Sequence, residues 1–223
     1  MGSVSVRGVS KDYVLGRTTV RALHDVSLEV ERSEFIAIAG PSGSGKSTLL
    51  NLVSAIDTGA SGKGLTDGVT LRRPNDDALS DLRANKIGFI FQTFNLIPVL
   101  SAYENVEFPL LFKKDGAAAK ARVKEVLARV GLADFMHHRP DELSGGQRQR
   151  VAVARALVTD PLIVLADEPT ANLDSETGEA VIDLMLEINR QAGTTFIFST
   201  HDPKVMNHAR RVVRLVDGRI VAS

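Results

Sequence analysis

The chain contains no cysteine and no tryptophan among its 223 residues, and it carries no excess of charge of either sign. Without thiols it can form neither a disulfide framework nor a cysteine-ligated zinc site, and the composition agrees with a reducing compartment. Lys and Arg together number 27, and Asp and Glu together also number 27. A balanced chain lacks the overall basic field that attracts nucleic acids, so we predict no nucleic-acid partner.

The sequence also lacks a long apolar run. No stretch approaches the roughly 18 to 20 apolar residues that a helix needs to cross a bilayer. The first residues, MGSVS, include neither the basic region nor the apolar stretch of an export signal. We therefore expect no direct membrane insertion, and we expect any contact with a membrane to be made through a partner.

A glycine-rich segment, which we call the phosphate loop, reads GPSGSGKST at residues 40–48 and matches the phosphate-binding pattern G-x-x-x-x-G-K-[ST]. Glycines allow several backbone N–H groups to turn inward around phosphate oxygens, where side chains would block the anion. The apolar run at 35–39 precedes the loop and apolar residues at helical spacing follow it, which is the context that the motif requires. The predicted nucleotide-binding residues of this loop are Gly40, Pro41, Ser42, Gly43, Ser44, Gly45, Lys46, Ser47 and Thr48.

Two acidic residues end a second apolar run. Residues 162–166 read LIVLA and are followed by Asp167 and Glu168. We predict that Lys46 reaches the β- and γ-phosphates of a bound triphosphate, and that Ser47 and Asp167 hold Mg²⁺. Glu168, beside the metal ligand, is the predicted general base that polarises the attacking water. Each motif alone could be a glycine turn or an acidic strand end, but their combination favours nucleotide hydrolysis.

A third motif, LSGGQ at residues 143–147, forms what we call the signature turn. Alone, it could be a glycine turn in which Ser144 caps a helix, although a second helix N-terminus would also attract phosphate. With this turn, nearly the whole chain resembles the nucleotide-binding subunit of ATP-binding cassette (ABC) transporters. The resemblance implies a head-to-tail homodimer that forms on ATP binding and encloses two ATP molecules. Each nucleotide would lie between the phosphate loop of one copy and a set of residues in the other, namely Ser144, Gly145, Gly146 and Gln147.

The resemblance also assigns roles to single residues. Gln92, after the apolar run at 87–91, matches a glutamine that contacts the metal and the attacking water. His201, after the run at 195–200, matches a histidine that contacts the γ-phosphate, and Tyr13 matches an aromatic residue that stacks on adenine. Without the neighbouring motifs, each of the three could be an ordinary structural residue of a strand. We therefore predict Glu168, His201 and Gln92 as catalytic residues, and Gln92 as a further metal ligand.

The predicted fold class is α/β, with a P-loop NTPase core built on a mostly parallel sheet, an antiparallel β-layer and an inserted helical subdomain. We expect a single domain over residues 1–223, with the core at 1–92 and 150–223 and the helical subdomain at about 93–149. In the segment KGLT at residues 63–66, Gly64 is expected to weaken a β-strand. Strands of the central sheet are predicted at 35–39, 87–91, 162–166, 195–199 and 212–216, and strands of the antiparallel layer at 4–9, 26–30 and 69–71.

The predicted function is that of an ATPase subunit which drives a separate membrane permease. The region from Gln92 to Tyr103 is expected to receive the permease, which would place the protein in the cytoplasm, peripheral on the inner face of the cell membrane. Residues 94–96, 139–142 and 172–174 resemble the branch that serves lipoprotein release, macrolide or antimicrobial-peptide efflux and cell-division permeases. An alternative is a nucleotide-gated regulatory or mechanical module that acts on a permease-like partner without moving a solute. The sequence chemistry does not separate these two.

Overall fold

The computed structural model describes residues 3–58, 60–70, 76–113 and 116–221. Its strands are β1 (Val4–Leu15), β2 (Thr18–Val30), β3 (Phe35–Ala39), β4 (Lys63–Thr66), β5 (Val69–Thr70), β6 (Ile87–Ile90), β7 (Ile163–Asp167), β8 (Thr195–Thr200), β9 (Arg211–Val216) and β10 (Arg219–Val221). Its helices are α1 (Lys46–Val53), α2 (Asp76–Asn85), α3 (Ala102–Glu107), α4 (Gly116–Arg129), α5 (Gly145–Leu157), α6 (Ser175–Ala192) and α7 (Pro203–Met206). Short 3₁₀ turns cover Phe108–Phe112, Ala133–Phe135 and Pro140–Glu142.

The described strands include a central sheet in the order β10-β9-β3-β8-β7-β6. Its pairings are parallel from β9 to β6, and only β10 runs antiparallel to its neighbour. The predicted mostly parallel sheet is therefore confirmed. Because parallel strands end at the same edge, the segments that follow β3, β6, β7 and β8 meet there, and these segments carry the phosphate loop, Gln92, Glu168 and His201.

A second sheet, antiparallel and in the order β2-β1-β4-β5, forms the predicted β-layer. The expectation of a weakened strand around Gly64 is wrong, because β4 forms and Gly64 pairs with Val6 of β1. The neighbouring Thr66 is fully buried, and its hydroxyl donates to the Val53 carbonyl at 3.0 Å, which fixes the strand. The predicted strand at 69–71 is observed over its first two residues, and residue 71 lies outside the described residues.

The central sheet is buried on both faces. Ile36 and Ile38 belong to one apolar cluster, with the antiparallel layer and α1, whereas Phe35 belongs to a second cluster, with the helices on the other side. The Phe35 ring centroid lies 5.6 Å from that of Phe196 and 5.1 Å from that of Phe198. Burial on both faces explains why these strands read as continuous apolar runs instead of alternating ones.

The helices α3, α4 and α5 follow β6, an edge strand of the central sheet, and precede β7. The proposed subdomain boundary at residue 149 falls inside α5, and the division into core and subdomain stays a prediction. Helix α6 follows β7, and Asp174 caps it by accepting a hydrogen bond from the backbone N–H of Thr177 at 3.0 Å. No helix among the described residues combines the length and the apolar character needed to cross a membrane.

Candidate functional site

Two glycines shape the phosphate loop. Gly45 has a φ of 101°, and a Cβ added there would lie 2.5 Å from the Ala22 carbonyl oxygen. At Gly40, an added Cβ would lie 2.0 Å from the Leu215 carbonyl oxygen. Larger residues would strain the backbone at the first position and collide with backbone at the second. The loop can therefore take this shape only with glycine at both positions.

A cavity of about 330 Å³ opens at the carboxyl edge of the central sheet. It brings together six residues of the phosphate loop and all three predicted catalytic residues, and β2 forms one wall. The described residues that line it do not include Gly40, Pro41, Ser44 or the predicted metal ligand Asp167. The lining residues are Val20, Arg21, Ala22, Ser42, Gly43, Gly45, Lys46, Ser47, Thr48, Gln92, Glu168 and His201.

Lys46 and Glu168 form an ion pair at the base of the cavity. The Lys46 ammonium donates to the carbonyl oxygens of Gly40 at 2.8 Å and Pro41 at 3.1 Å, and lies 3.3 Å from Oε1 of Glu168. The second carboxylate oxygen of Glu168 lies 2.9 Å from Nδ1 of His201. Glu168 thus joins a cation buried under the loop to an imidazole that is 66% exposed.

Ser199, which the sequence analysis missed, organises the acidic pair. Its hydroxyl donates to Oδ1 of Asp167 at 2.6 Å and accepts from the backbone N–H of Glu168 at 2.9 Å. Glu168 has a φ of 45°, in the left-handed region that is uncommon for non-glycine residues, and such a conformation persists only where its surroundings hold it. The signal in the sequence is a serine directly after the apolar residues 196–198 of β8.

We expect Ser199→Ala to destabilise the folded protein by about 1–3 kcal/mol. Removal of the fully buried Ser199 hydroxyl would leave the Asp167 carboxylate oxygen and the Glu168 backbone N–H without their hydrogen-bond partner. Urea denaturation measures this. Ser54→Ala is a matched control, since Ser54 is also buried and donates to the carbonyl of Asn51. That carbonyl accepts two further backbone N–H groups, so the control should cost less. Equal losses for the two variants would contradict the role of Ser199.

The proposed metal ligands fit Mg²⁺. Ser47, Gln92 and Asp167 offer a hydroxyl, an amide and a carboxylate oxygen, which are hard donors. Mg²⁺ is commonly held by one or two carboxylates together with phosphate oxygens and waters. The residues that the structure describes contain no group of three or more His, Asp or Glu side chains placed to hold a metal. With a single carboxylate among them, these donors would leave coordination positions of Mg²⁺ for phosphate oxygens and water.

Tyr13 lies beside the phosphate loop, where its hydroxyl interacts with the side chains of Asp57 and Thr48. Its hydroxyl donates to Oδ2 of Asp57 at 2.5 Å, and the Lys11 ammonium lies 5.0 Å from its ring centroid. Burial raises the pKa of the Tyr13 phenol, and the hydrogen bond to Asp57 raises this pKa further. Over the described residues, the cavity lining does not include Tyr13. Adenine stacking by this ring stays a prediction.

The signature turn forms the start of α5. Ser144 accepts a hydrogen bond from the backbone N–H of Gln147 at 3.3 Å, and the Gln147 side chain accepts from the backbone N–H of Ser144 at 2.9 Å. This reciprocal cap satisfies two groups at the helix N-terminus. A Cβ at Gly146 would lie 2.4 Å from Cγ2 of Thr177, so close packing of α5 against α6 requires glycine there. Within the described residues, no part of the turn lines the cavity of its own chain.

Comparisons with known proteins agree with this geometry. The model of the ABC transporter family matches residues 23–171. The lipoprotein-releasing system ATP-binding protein LolD of Anaeromyxobacter dehalogenans is 46% identical over 222 residues, which cover 99% of this chain and 93% of LolD. The macrolide export ATP-binding/permease protein MacB of Bdellovibrio bacteriovorus is 42% identical over 217 residues, which cover 97% of this chain but only 33% of MacB.

A similar solved structure is the dimeric, post-hydrolysis state of the ATP-binding cassette MJ0796 of Methanocaldococcus jannaschii, bound to ADP and Pi. It superposes with a TM-score of 0.90 at 44% identity and covers 98% of this chain and 97% of that one. The family match covers more than half of the chain, and the relatives and the solved structure extend the similarity to nearly all of it. This chain therefore belongs to the ABC transporter family, as an ATP-hydrolysing nucleotide-binding subunit.

Proposed function

We propose that two copies of this chain, arranged head to tail, hydrolyse ATP with Mg²⁺ and thereby drive a separate membrane permease. The observation that carries the proposal is the division of the motifs. One cavity collects six residues of the phosphate loop with Gln92, Glu168 and His201, while the signature turn of the same chain lies outside that cavity's lining. A second copy can supply the turn. The dimeric MJ0796 structure with ADP and Pi supports this arrangement.

Nucleotide binding would rearrange the contacts of Lys46. The triphosphate would lie in the phosphate loop at the N-terminus of α1, where free N–H groups and the helix dipole favour an anion. Lys46 would exchange the carbonyls of Gly40 and Pro41 for phosphate oxygens. Ser47 and Asp167 would hold Mg²⁺, which when bound neutralises charge on the β- and γ-phosphates. Glu168 would then be released from its ion pair and free to face a water.

Hydrolysis would proceed by attack of that water on the γ-phosphorus. Glu168 accepts a proton from the water as the new oxygen–phosphorus bond forms and the bond to the bridging oxygen of ADP breaks. Gln92 orients the water, and His201 holds the Glu168 carboxylate on one side and contacts the γ-phosphate on the other. Positioned general bases contribute roughly 10²- to 10⁴-fold in rate.

We expect Ser144→Arg to leave ATP binding by the monomer intact and to abolish the ATP-dependent dimer, because a long cation would occupy the surface that faces the partner's nucleotide. Size-exclusion chromatography with ATP, in a Glu168→Gln background that slows turnover, measures this. Ser101→Arg is a matched control, since Ser101 caps α3 through the same reciprocal pairing. It should lose the cap and still dimerise. A Ser144→Arg protein that dimerises with ATP would remove the reason for placing this turn in the partner's site.

The permease would dock beside Gln92. Within residues 92–103, Val99 is 73% exposed. A separate groove of about 980 Å³, lined by apolar residues such as Phe89 and by charged ones such as Asp81, includes none of residues 92–103 among the described residues that line it. We propose that a short cytoplasmic helix of the permease covers the exposed Val99 and its neighbours, which would keep the protein in the cytoplasm at the inner face of the membrane. The name of MacB joins an ATP-binding part and a permease in one protein, which is the association proposed here for separate chains.

The transported molecule is proposed from the same relatives. LolD is named for lipoprotein release and MacB for macrolide export, so we propose lipoproteins or amphipathic drugs and peptides as the cargo class. The test is to identify the copurifying membrane subunit and to reconstitute both proteins in vesicles. ATP-dependent movement of a lipoprotein or macrolide supports transport. A partner that changes ATP turnover and moves neither would favour the regulatory alternative.

A further inference from the structure

The segment that follows Gln92 has a backbone that requires support. Phe94 and Asn95 are consecutive non-glycine residues with φ values of 61° and 48°. This left-handed conformation is uncommon for such residues and is kept only where neighbours impose it. The hydrogen bonds within this segment join residues that are close in sequence, such as that from the Asn95 N–H to the Thr93 carbonyl at 2.6 Å. We call residues 92–95 the Gln92 segment.

Two arginines of α5 hold this segment. The Arg155 guanidinium donates to the carbonyl oxygen of Phe94 at 2.7 Å and to that of Asn95. The Arg148 guanidinium carbon lies 5.2 Å from the centroid of the Phe94 ring. The two arginines are two helical turns apart and therefore share one face of α5. Burial lowers the pKa of Arg155, and its guanidinium meets two backbone carbonyls there.

The helix that carries both arginines begins at the signature turn. Its 13 residues span about 20 Å. One end holds Ser144, whose cap sets the conformation of the turn, and the other end holds Arg155. At the start of the Gln92 segment, the Asn172 side chain donates to the Gln92 carbonyl at 2.7 Å. The Gln92 segment is therefore attached through Phe94 and Asn95 to α5, which begins at the signature turn, and through the Gln92 carbonyl to the loop after β7.

We propose that Arg155 is a positioning residue that ties Gln92 to the signature turn of the same copy and thereby couples the two ATP sites of the dimer. This inference rests on the proposed head-to-tail function. The signature turn of a copy would meet its partner's nucleotide, whereas Gln92 of that copy meets its own. A displacement of α5 at one site would then shift Gln92 at the other. Such coupling is reciprocal for binding, because each ligand biases the same element.

The experiment compares ATP hydrolysis as a function of ATP concentration for the wild type, Arg155→Met, Arg155→Lys and Arg150→Met. Arg150 is a matched control, since it lies on the same helix and its guanidinium also donates to a backbone carbonyl, that of Val130 at 3.4 Å. We expect Arg155→Met to lower kcat and to lower the Hill coefficient below the wild-type value, leaving only the cooperativity that ATP-dependent dimerisation itself supplies. ATP affinity of the monomer, measured in the Ser144→Arg background, should be unchanged.

Arg155→Lys keeps the charge and can reach one carbonyl, so it should restore part of the Hill coefficient, and Arg150→Met should match the wild type. A purely structural role would lower the amount of active enzyme without changing the Hill coefficient. Arg155→Met with wild-type kcat and Hill coefficient would overturn the inference. If Arg155→Met does not fold, the other two variants decide. A wild-type profile for Arg155→Lys together with a lowered Hill coefficient for Arg150→Met would then overturn it. If the wild type forms no ATP-dependent dimer, the proposed function fails first, and the inference fails with it.

Discussion

Replacement of Glu168 by glutamine is expected to lower ATP turnover by about 100- to 10,000-fold while ATP binding is retained. Glutamine has nearly the same shape, so it can remain in the space between Lys46 and His201. Its amide cannot accept a proton from water, and the attacking nucleophile is then not activated. Because the bound ATP is not hydrolysed, the dimer that ATP holds together should accumulate.

Phosphate release under saturating ATP measures the turnover, and binding of a fluorescent ATP analogue measures affinity separately. Glu179→Gln is a matched control, because Glu179 pairs with Lys204 at 3.4 Å on the surface. It should hydrolyse ATP at the wild-type rate. Wild-type turnover in Glu168→Gln would show that another group activates the water, and His201 would be the next residue to replace.

The apolar runs and the glycine motif predict most of the fold because they depend on local chemistry. A buried parallel strand needs an unbroken apolar stretch, and residues 35–39 read FIAIA for that reason. The order of the strands brings Gln92 and His201 to one edge, so motifs more than 100 residues apart in sequence meet in one cavity. Their roles in catalysis stay predictions, whereas their proximity is an observation.

The contacts that the sequence did not predict depend on how distant segments cross. Arg155 binds carbonyls of residues about 60 positions earlier, and no pattern in an amphipathic helix marks one arginine for that task. Ser199 meets Asp167 only because β7 and β8 are neighbours in the sheet. The strand containing Gly64 was underestimated for a related reason. Pairing with β1 and burial of Thr66 outweigh the low strand preference of one glycine.

Lys46→Ala is expected to weaken ATP binding by about 100- to 1,000-fold. A single charge contact at about 4 Å is worth about 4 kcal/mol near a protein surface, and each 1.4 kcal/mol changes affinity tenfold, before desolvation reduces the gain. The ammonium is already desolvated, because the Lys46 side chain is only 7% exposed and lies under the loop. Part of the free-energy cost of desolvating this ammonium therefore arises during folding. Little further desolvation cost arises when phosphate oxygens replace the carbonyls of Gly40 and Pro41.

Titration with a fluorescent ATP analogue measures the loss, and thermal unfolding without nucleotide shows whether the variant is folded. Lys46→Arg separates charge from shape. A guanidinium keeps the positive charge but is planar and larger than an ammonium, so it should not fit under the Gly40 carbonyl and should also bind ATP weakly. Wild-type affinity in a folded Lys46→Ala protein would mean that the backbone N–H groups of the loop hold the phosphates alone. In that case, the main task of Lys46 would be the one seen in the structure, to neutralise Glu168 before the nucleotide arrives.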